Sequence, residues 1–286
     1  MTEKIKIGIS TCPNDTFAFH ALLNHKIPTD GIEFEFELMD VEELNLKLLD
    51  GCFDVAKASF HAAVYMTREV SVLSSGSALG FGVGPLLLSA QNRTDPNDTI
   101  LDDQGRTVEP LVGCPGKHTT ATLLYKLFYP QRGRLSQMIF SDIMPKLLSQ
   151  KIDFGVCIHE GRFTYQDEGL GCVADLGTLW EQKTQLPLPL GGILVRKRLG
   201  AEKMSRVQRL VRQSIEYGLA HRDETVATMS QHAQEFSEEV LFAHVDTYVN
   251  DWTLELGELG EKSLQQLAQL TMEMEGREFP AFDIVK

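Results

Sequence analysis

KLLDGCFDVAKASF, residues 47 to 60, is the end of a helix, a turn at Gly51, an aspartate and a buried strand. The same order returns in KLLSQKIDFGVCIH, residues 146 to 159. At a constant offset, Lys47, Leu48, Leu49 and Asp54 meet Lys146, Leu147, Leu148 and Asp153, and Phe53 meets Ile152. Such a pattern recurs in many α/β proteins, so the match supports two similarly built lobes without proving duplication. Ser59 and His159 then fall at nearly equivalent strand ends, where open α/β sheets place their ligands.

Outward from this pair, residues 4 to 9 (KIKIGI) and 32 to 38 (IEFEFEL) have strand period. Residues 16 to 24 between them predict a helix, started by Pro13, Asn14, Asp15 and Thr16. Val41, Leu44 and Leu48 line one face of the next helix, and a strand follows over 53 to 59. Alternation of this kind predicts a largely parallel sheet with right-handed crossovers. A Gly-rich stretch from Gly76 to Pro85, the strand 86 to 89 and a polar loop from Gln91 to Arg106 mark the passage into a second lobe. There the pattern resumes: strand 108 to 112, helix 119 to 128, strand 138 to 140, helix 143 to 150, strand 152 to 158. PLPLGGILVRKRLG, residues 187 to 200, reads as the return, and a helical pattern runs from Ser205 to about residue 275. The expected division is a discontinuous large lobe, 1–90 with 193–286, and a small lobe, 91–192.

Composition narrows the function. With 286 residues, 43% hydrophobic and 23% charged, the chain reads as ordered throughout. A net charge of -13, from 40 acidic and 27 basic residues, repels nucleic acid and anionic membrane surfaces, and Arg196-Lys197-Arg198 is too short a basic cluster to override it. Neither is an expected partner. A small anionic ligand is compatible, because it responds to the local field of its site. Five cysteines without a C-x-x-C pair predict a reducing compartment. MTEKIKIGIS has no apolar signal core, and nothing approaches the ~20 apolar residues of a membrane span, so the expected location is cytoplasmic.

His159 ends an apolar strand in GVCIHEGRFTY, residues 155 to 165. Two readings stand: a partly exposed histidine without a task, or a base whose neutral ring faces a cavity. Glu160 is adjacent but expected to point away, so no orienting group is named. H-E opens like a zinc motif, yet position 163 is Phe where the second histidine would be, and no metal site is expected. PGKHTTATLL, residues 115 to 124, puts Gly116, Thr119 and Thr120 where a strand gives way to a helix. That is either an ordinary N-cap or an anion site for a carboxylate or phosphate. Its spacing is not that of a P-loop, so a nucleotide is not indicated. Lys57 and Ser59, two apart, share one face of their strand. They are either a surface pair or ligand contacts. Asn14 and Asp15 in TCPNDTF (11 to 17) read as turn and capping residues that could face the same ligand.

Seven stretches together carry a resemblance: CPNDTF (12 to 17), KASFHA (57 to 62), ALGFGVGPLL (78 to 87), PGKHTTA (115 to 121), IHEGRFTY (158 to 165), LPLPLGG (186 to 192) and AHVDTYVN (243 to 250). In this order, over nearly the whole chain, they resemble the 1,4-dihydroxy-6-naphthoate synthases of the futalosine route to menaquinone. The resemblance implies a periplasmic-binding-protein-like fold of the second type, two α/β lobes with a ligand cleft between them. It implies a lyase that cleaves a carbon–carbon bond of cyclic dehypoxanthinyl futalosine, a small-molecule carboxylate, with no cofactor. His159 matches the family's general base. Lys57, Ala58 and Ser59 match its first substrate-contacting stretch, and Thr120 and Ala121 its second. Ala58 stands where a larger apolar residue is expected, which implies a roomier pocket. Two alternatives share the fold, a solute-binding protein for a small carboxylate and the sister enzyme chorismate dehydratase. Missing signal features weigh against the first, and the IHEGRFTY stretch against the second.

Overall fold

The computed structural model describes residues 3–90, 93, 95–96, 100–101, 104–159, 161–233 and 237–286. They form two compact units, Met1–Gly80 with Pro189–Lys286 and Phe81–Leu188. In the first, β1 (Glu3–Ser10) buries Ile5, Ile7 and Ile9. The helix expected over 16 to 24 is two short helices, α1 (Pro13–Ala18) and α2 (His20–Leu23), joined at Phe19 with φ -97° and ψ 3°. It starts three residues early because Pro13 supplies a helical φ at N1 and needs no hydrogen bond there. β2 (Ile32–Met39) pairs with β1 in parallel over its whole length. Asp40 then caps α3 (Val41–Leu49), accepting from the Glu42 amide at 2.8 Å. β3 (Val55–Ser59), α4 (Phe60–Val64), β4 (Val70–Leu73) and β5 (Ala78–Gly80) complete this segment.

The second unit begins with β6 (Leu86–Ser89), a hairpin of β7 (Ile100–Leu101) and β8 (Thr107–Val108), and β9 (Leu111–Cys114). Pro110, which cannot donate to a ladder, separates β8 from β9 and divides the strand expected over 108 to 112. α5 (Thr120–Phe128) leads to β10 (Arg134–Gln137), which lies earlier than the expected 138 to 140; Phe140–Asp142 is a 3-10 turn. α6 (Ile143–Leu148), β11 (Phe154–Cys157), α7 (Gly161–Thr164), β12 (Gly171–Asp175) and α8 (Leu176–Thr184) follow. The sheet order is β10-β9-β11-β6-β12. Its core joins Leu86 and Leu88 to Ile143, Leu147 and Ile152.

The chain returns through β13 (Leu188–Arg196). The helical pattern expected from Ser205 resolves into α9 (Ala201–Ala220), α10 (Arg222–His232), α11 (Glu238–Tyr248), α12 (Asp251–Leu254) and α13 (Gly257–Glu275), before β14 (Ile284–Val285). The first unit's sheet runs β14-β4-β13-β3-β1-β2, with β5 also on β13. Val207, Leu210, Val211 and Ile215 of α9 pack against Ile7 and Ile9 in its core. Among the described residues, no helix is long and apolar enough to cross a membrane.

Two further expectations change. The sheets are mixed: β6 runs antiparallel to β11 and β12, and β13 antiparallel to β3 and β4. Helix-linked alternation predicts parallel pairs only where a helix carries the crossover, and β6 and β13 each open a passage between units. The passage also lies nearer residue 80 than 90, because Leu86–Ser89 bonds into the second unit's sheet.

The repeated stretch is repeated in structure. β3 lies between parallel β1 and antiparallel β13, and β11 between parallel β9 and antiparallel β6. Asp54 accepts from the Lys6 amide through Oδ2 at 3.0 Å and donates its own amide to the Lys6 carbonyl at 2.9 Å. Asp153 does both with Leu111, at 2.8 and 2.9 Å. Each aspartate thereby sets the register of its strand against the parallel neighbour.

Candidate active site

In the first unit the polar residues gather where β1 and β3 run into short helices. Lys57 is buried and donates from Nζ to Asp15 Oδ1 at 2.7 Å. The same carboxylate accepts from Ser10 Oγ at 2.6 Å and Asn14 Nδ2 at 2.9 Å. A buried ion pair holds only when both partners have good geometry and the remaining lone pairs are satisfied, and Ser10 and Asn14 do that here. The surface reading of Lys57 therefore fails. So does the capping reading of Asp15: α1 has Cys12 at its N-cap, with no side-chain cap bond.

Ser59, at the carboxyl end of β3, is held by Asn45 of α3. Asn45 Oδ1 accepts from the Ser59 amide at 2.9 Å, and its Nδ2 donates to Ser59 Oγ at 3.2 Å. Asn45 is fully buried. Sequence reasoning missed it, although a signal existed: an Asn at i+4 from Val41 falls on the apolar face of that helix. Ala58, also fully buried, pairs with Gly192 of β13, and Ser59 with Gly191. A Cβ on Gly191 would sit 2.7 Å from the Ala58 carbonyl oxygen, and one on Gly192 2.6 Å from the Phe60 ring. The Gly pair in LPLPLGG is thus a close-approach device beside the strand that carries Lys57, Ala58 and Ser59.

In the second unit, β9 turns into α5 through Gly116, whose φ of +107° suits only glycine. The Gly116 carbonyl accepts from Thr119 Oγ1 at 2.9 Å and Thr122 Oγ1 at 2.6 Å, and Thr119 Oγ1 caps the Thr122 amide at 3.2 Å. Capping therefore falls to Thr119. Thr120 and Ala121, both buried, take the first two helical positions, whose amides no helix carbonyl can reach. The positive end of the helix dipole coincides with them.

His159 follows β11 with φ +58°, a left-handed conformation that few side chains adopt and histidine adopts more readily than most. Its half-buried ring meets Phe140 edge-on, with centroids 4.7 Å apart. The sequence does not disclose this contact, since 138 to 140 has the look of a strand and Phe140 instead opens a 3-10 turn. Glu160 lies outside the described residues. Cys114 and Cys157 are no nucleophiles, because burial pushes both thiols up to about 12. Among the described residues, no group of three or more His, Cys, Asp or Glu could hold a metal ion.

Comparison with known proteins adds the family. The sequence family described as menaquinone biosynthesis matches residues 5–273. The chain belongs to that family. A 1,4-dihydroxy-6-naphthoate synthase from Thermus thermophilus is 40% identical over 93% of both chains, and one from Streptomyces coelicolor is 35% identical over 93% of this chain and 92% of its own. A crystal structure of an Archaeoglobus fulgidus protein aligns with a TM-score of 0.86 at 30% identity, covering 96% of this chain and 98% of that one. The alkanesulfonate-binding protein of Xanthomonas axonopodis aligns with a TM-score of 0.69 at 12% identity, over 95% of this chain and 93% of its own. The menaquinone-biosynthesis chain thus has the periplasmic-binding-protein-like fold.

Proposed function

We propose that the protein is a 1,4-dihydroxy-6-naphthoate synthase, a lyase that cleaves a carbon–carbon bond of cyclic dehypoxanthinyl futalosine. The observation that carries the reading is the 40% identity, over 93% of both chains, to a relative of that name. His159 is the proposed base. A neutral imidazole removes a proton from a hydroxyl or carbon acid as the bond breaks, and formation of an aromatic product supplies the driving force without a redox partner or metal. The first-turn position of Thr120 and Ala121, at the positive end of the α5 dipole, suits the substrate carboxylate. Lys57, Ala58 and Ser59 are the other proposed substrate contacts. Asp15 neutralises the Lys57 charge, so the donors left on Lys57 suit neutral oxygens of the substrate more than another anion.

Mass spectrometry tests the assignment: purified protein, without added metal or cofactor, should convert cyclic dehypoxanthinyl futalosine to dihydroxynaphthoate. Bound but unchanged substrate would make the protein a carrier. Turnover of chorismate instead would make it the sister dehydratase.

A further inference from the structure

His159 sits in a left-handed conformation at the entry to a very short helix. Two residues on, α7 has only four residues, too few to be stable alone. Arg162 lies in that helix, and its amide donates to the His159 carbonyl at 3.2 Å. Its guanidinium reaches away from the turn, donating from Nη1 to the Gly84 carbonyl at 2.5 Å and from Nη2 to Asp175 Oδ2 at 2.8 Å. Oδ1 of Asp175 meanwhile accepts from the amides of Gly177 and Thr178, at 2.9 and 3.1 Å, and caps α8. The anchor behind Arg162 is rigid. Gly84 and Gly177 approach so closely that a Cβ on Gly84 would fall 2.2 Å from the Gly177 Cα.

One guanidinium therefore ties the His159 turn to the segment entering β6, the end of β12 and the first turn of α8. The Arg162 and Asp175 side chains are 19% and 24% exposed, which shields the pair from much of the solvent. We infer that Arg162 is the positioning residue of His159, fixing the left-handed turn that aims the imidazole. Lysine cannot take its place, because a point charge does not span a carbonyl and a carboxylate in two directions as a planar fork does. The inference rests on the reading of His159 as the base.

The test uses protein labelled in its histidine rings, with the native chain compared with Arg162→Lys, Arg162→Gln and Asp175→Asn, and His159→Asn to assign the resonance. Asp175→Asn keeps a capping oxygen while removing the ion pair, and serves if the arginine variants fold poorly. Expected is a shifted and broadened His159 ring signal in each variant, with the other histidines unmoved. Turnover should fall about 100-fold in kcat with KM little changed, and Lys should not restore it. A His159 signal identical to native in folded Arg162→Gln or Asp175→Asn overturns the inference. Absence of turnover by the native protein would overturn the synthase reading, while the ring signal still decides the part of Arg162.

Discussion

Asp15 collects donors from Lys57, Ser10 and Asn14 in a place that is 3% exposed. Removing it by Asp15→Ala strands a buried ammonium, and urea unfolding should show a loss of about 3–5 kcal/mol. Pairing Asp15→Leu with Lys57→Met should recover most of that loss. His20 supplies a pH prediction. It is buried against Tyr217, its Nδ1 is 2.9 Å from Thr228 Oγ1, and burial first, then Lys26, lowers its pKa from the ordinary 6.5. Below 6.5 the unfolded chain binds the proton more readily than the folded one, so this contribution is full above the unfolded value and is lost as pH falls below it toward the lower folded value. The urea midpoint should begin to drop as pH falls below about 6.5, and less so in His20→Asn. Single residues were legible where their strand position was. His159 could be placed from three apolar neighbours, but Asp15 and Arg162 find their partners 42 and 78 residues away, and no local pattern encodes such distances.

At the scale of elements, the corner from β9 to α5 depends on Thr119. Thr119→Ala should cost about 1 kcal/mol of stability by removing the cap, and should weaken substrate binding by loosening the amides of Thr120 and Ala121. Gly84→Ala should be far worse, since its Cβ would meet Gly177 backbone and not a side chain that can move aside. Circular dichroism with a thermal melt separates the two outcomes. Periodic strands such as β1 and β2 could be read directly, as could the Thr-capped start of α5. β10 could not: RLSQ has little strand period, while the apolar MIF just after it suggested a strand and instead enters a 3-10 turn. The antiparallel course of β6 and β13 was equally hidden, because strand direction is set by long-range pairing.

At the scale of the molecule, the repeat at 47–60 and 146–159 was the most informative feature of the chain. Its two aspartates do the same work in two sheets, and each strand it feeds ends at residues proposed to meet substrate. Family membership covers residues 5–273, almost the full length. The first passage between units falls about ten residues before the expected 90, since a strand bounded by Gly and polar residues does not announce which sheet it joins. The most direct test of the account is kcat for cyclic dehypoxanthinyl futalosine in the native protein and in folded His159→Gln. A fall of about 10²- to 10⁴-fold, with substrate still bound, is the result expected for loss of a general base. Turnover within a few-fold of native would contradict it, and would return His159 to an incidental place at the end of β11.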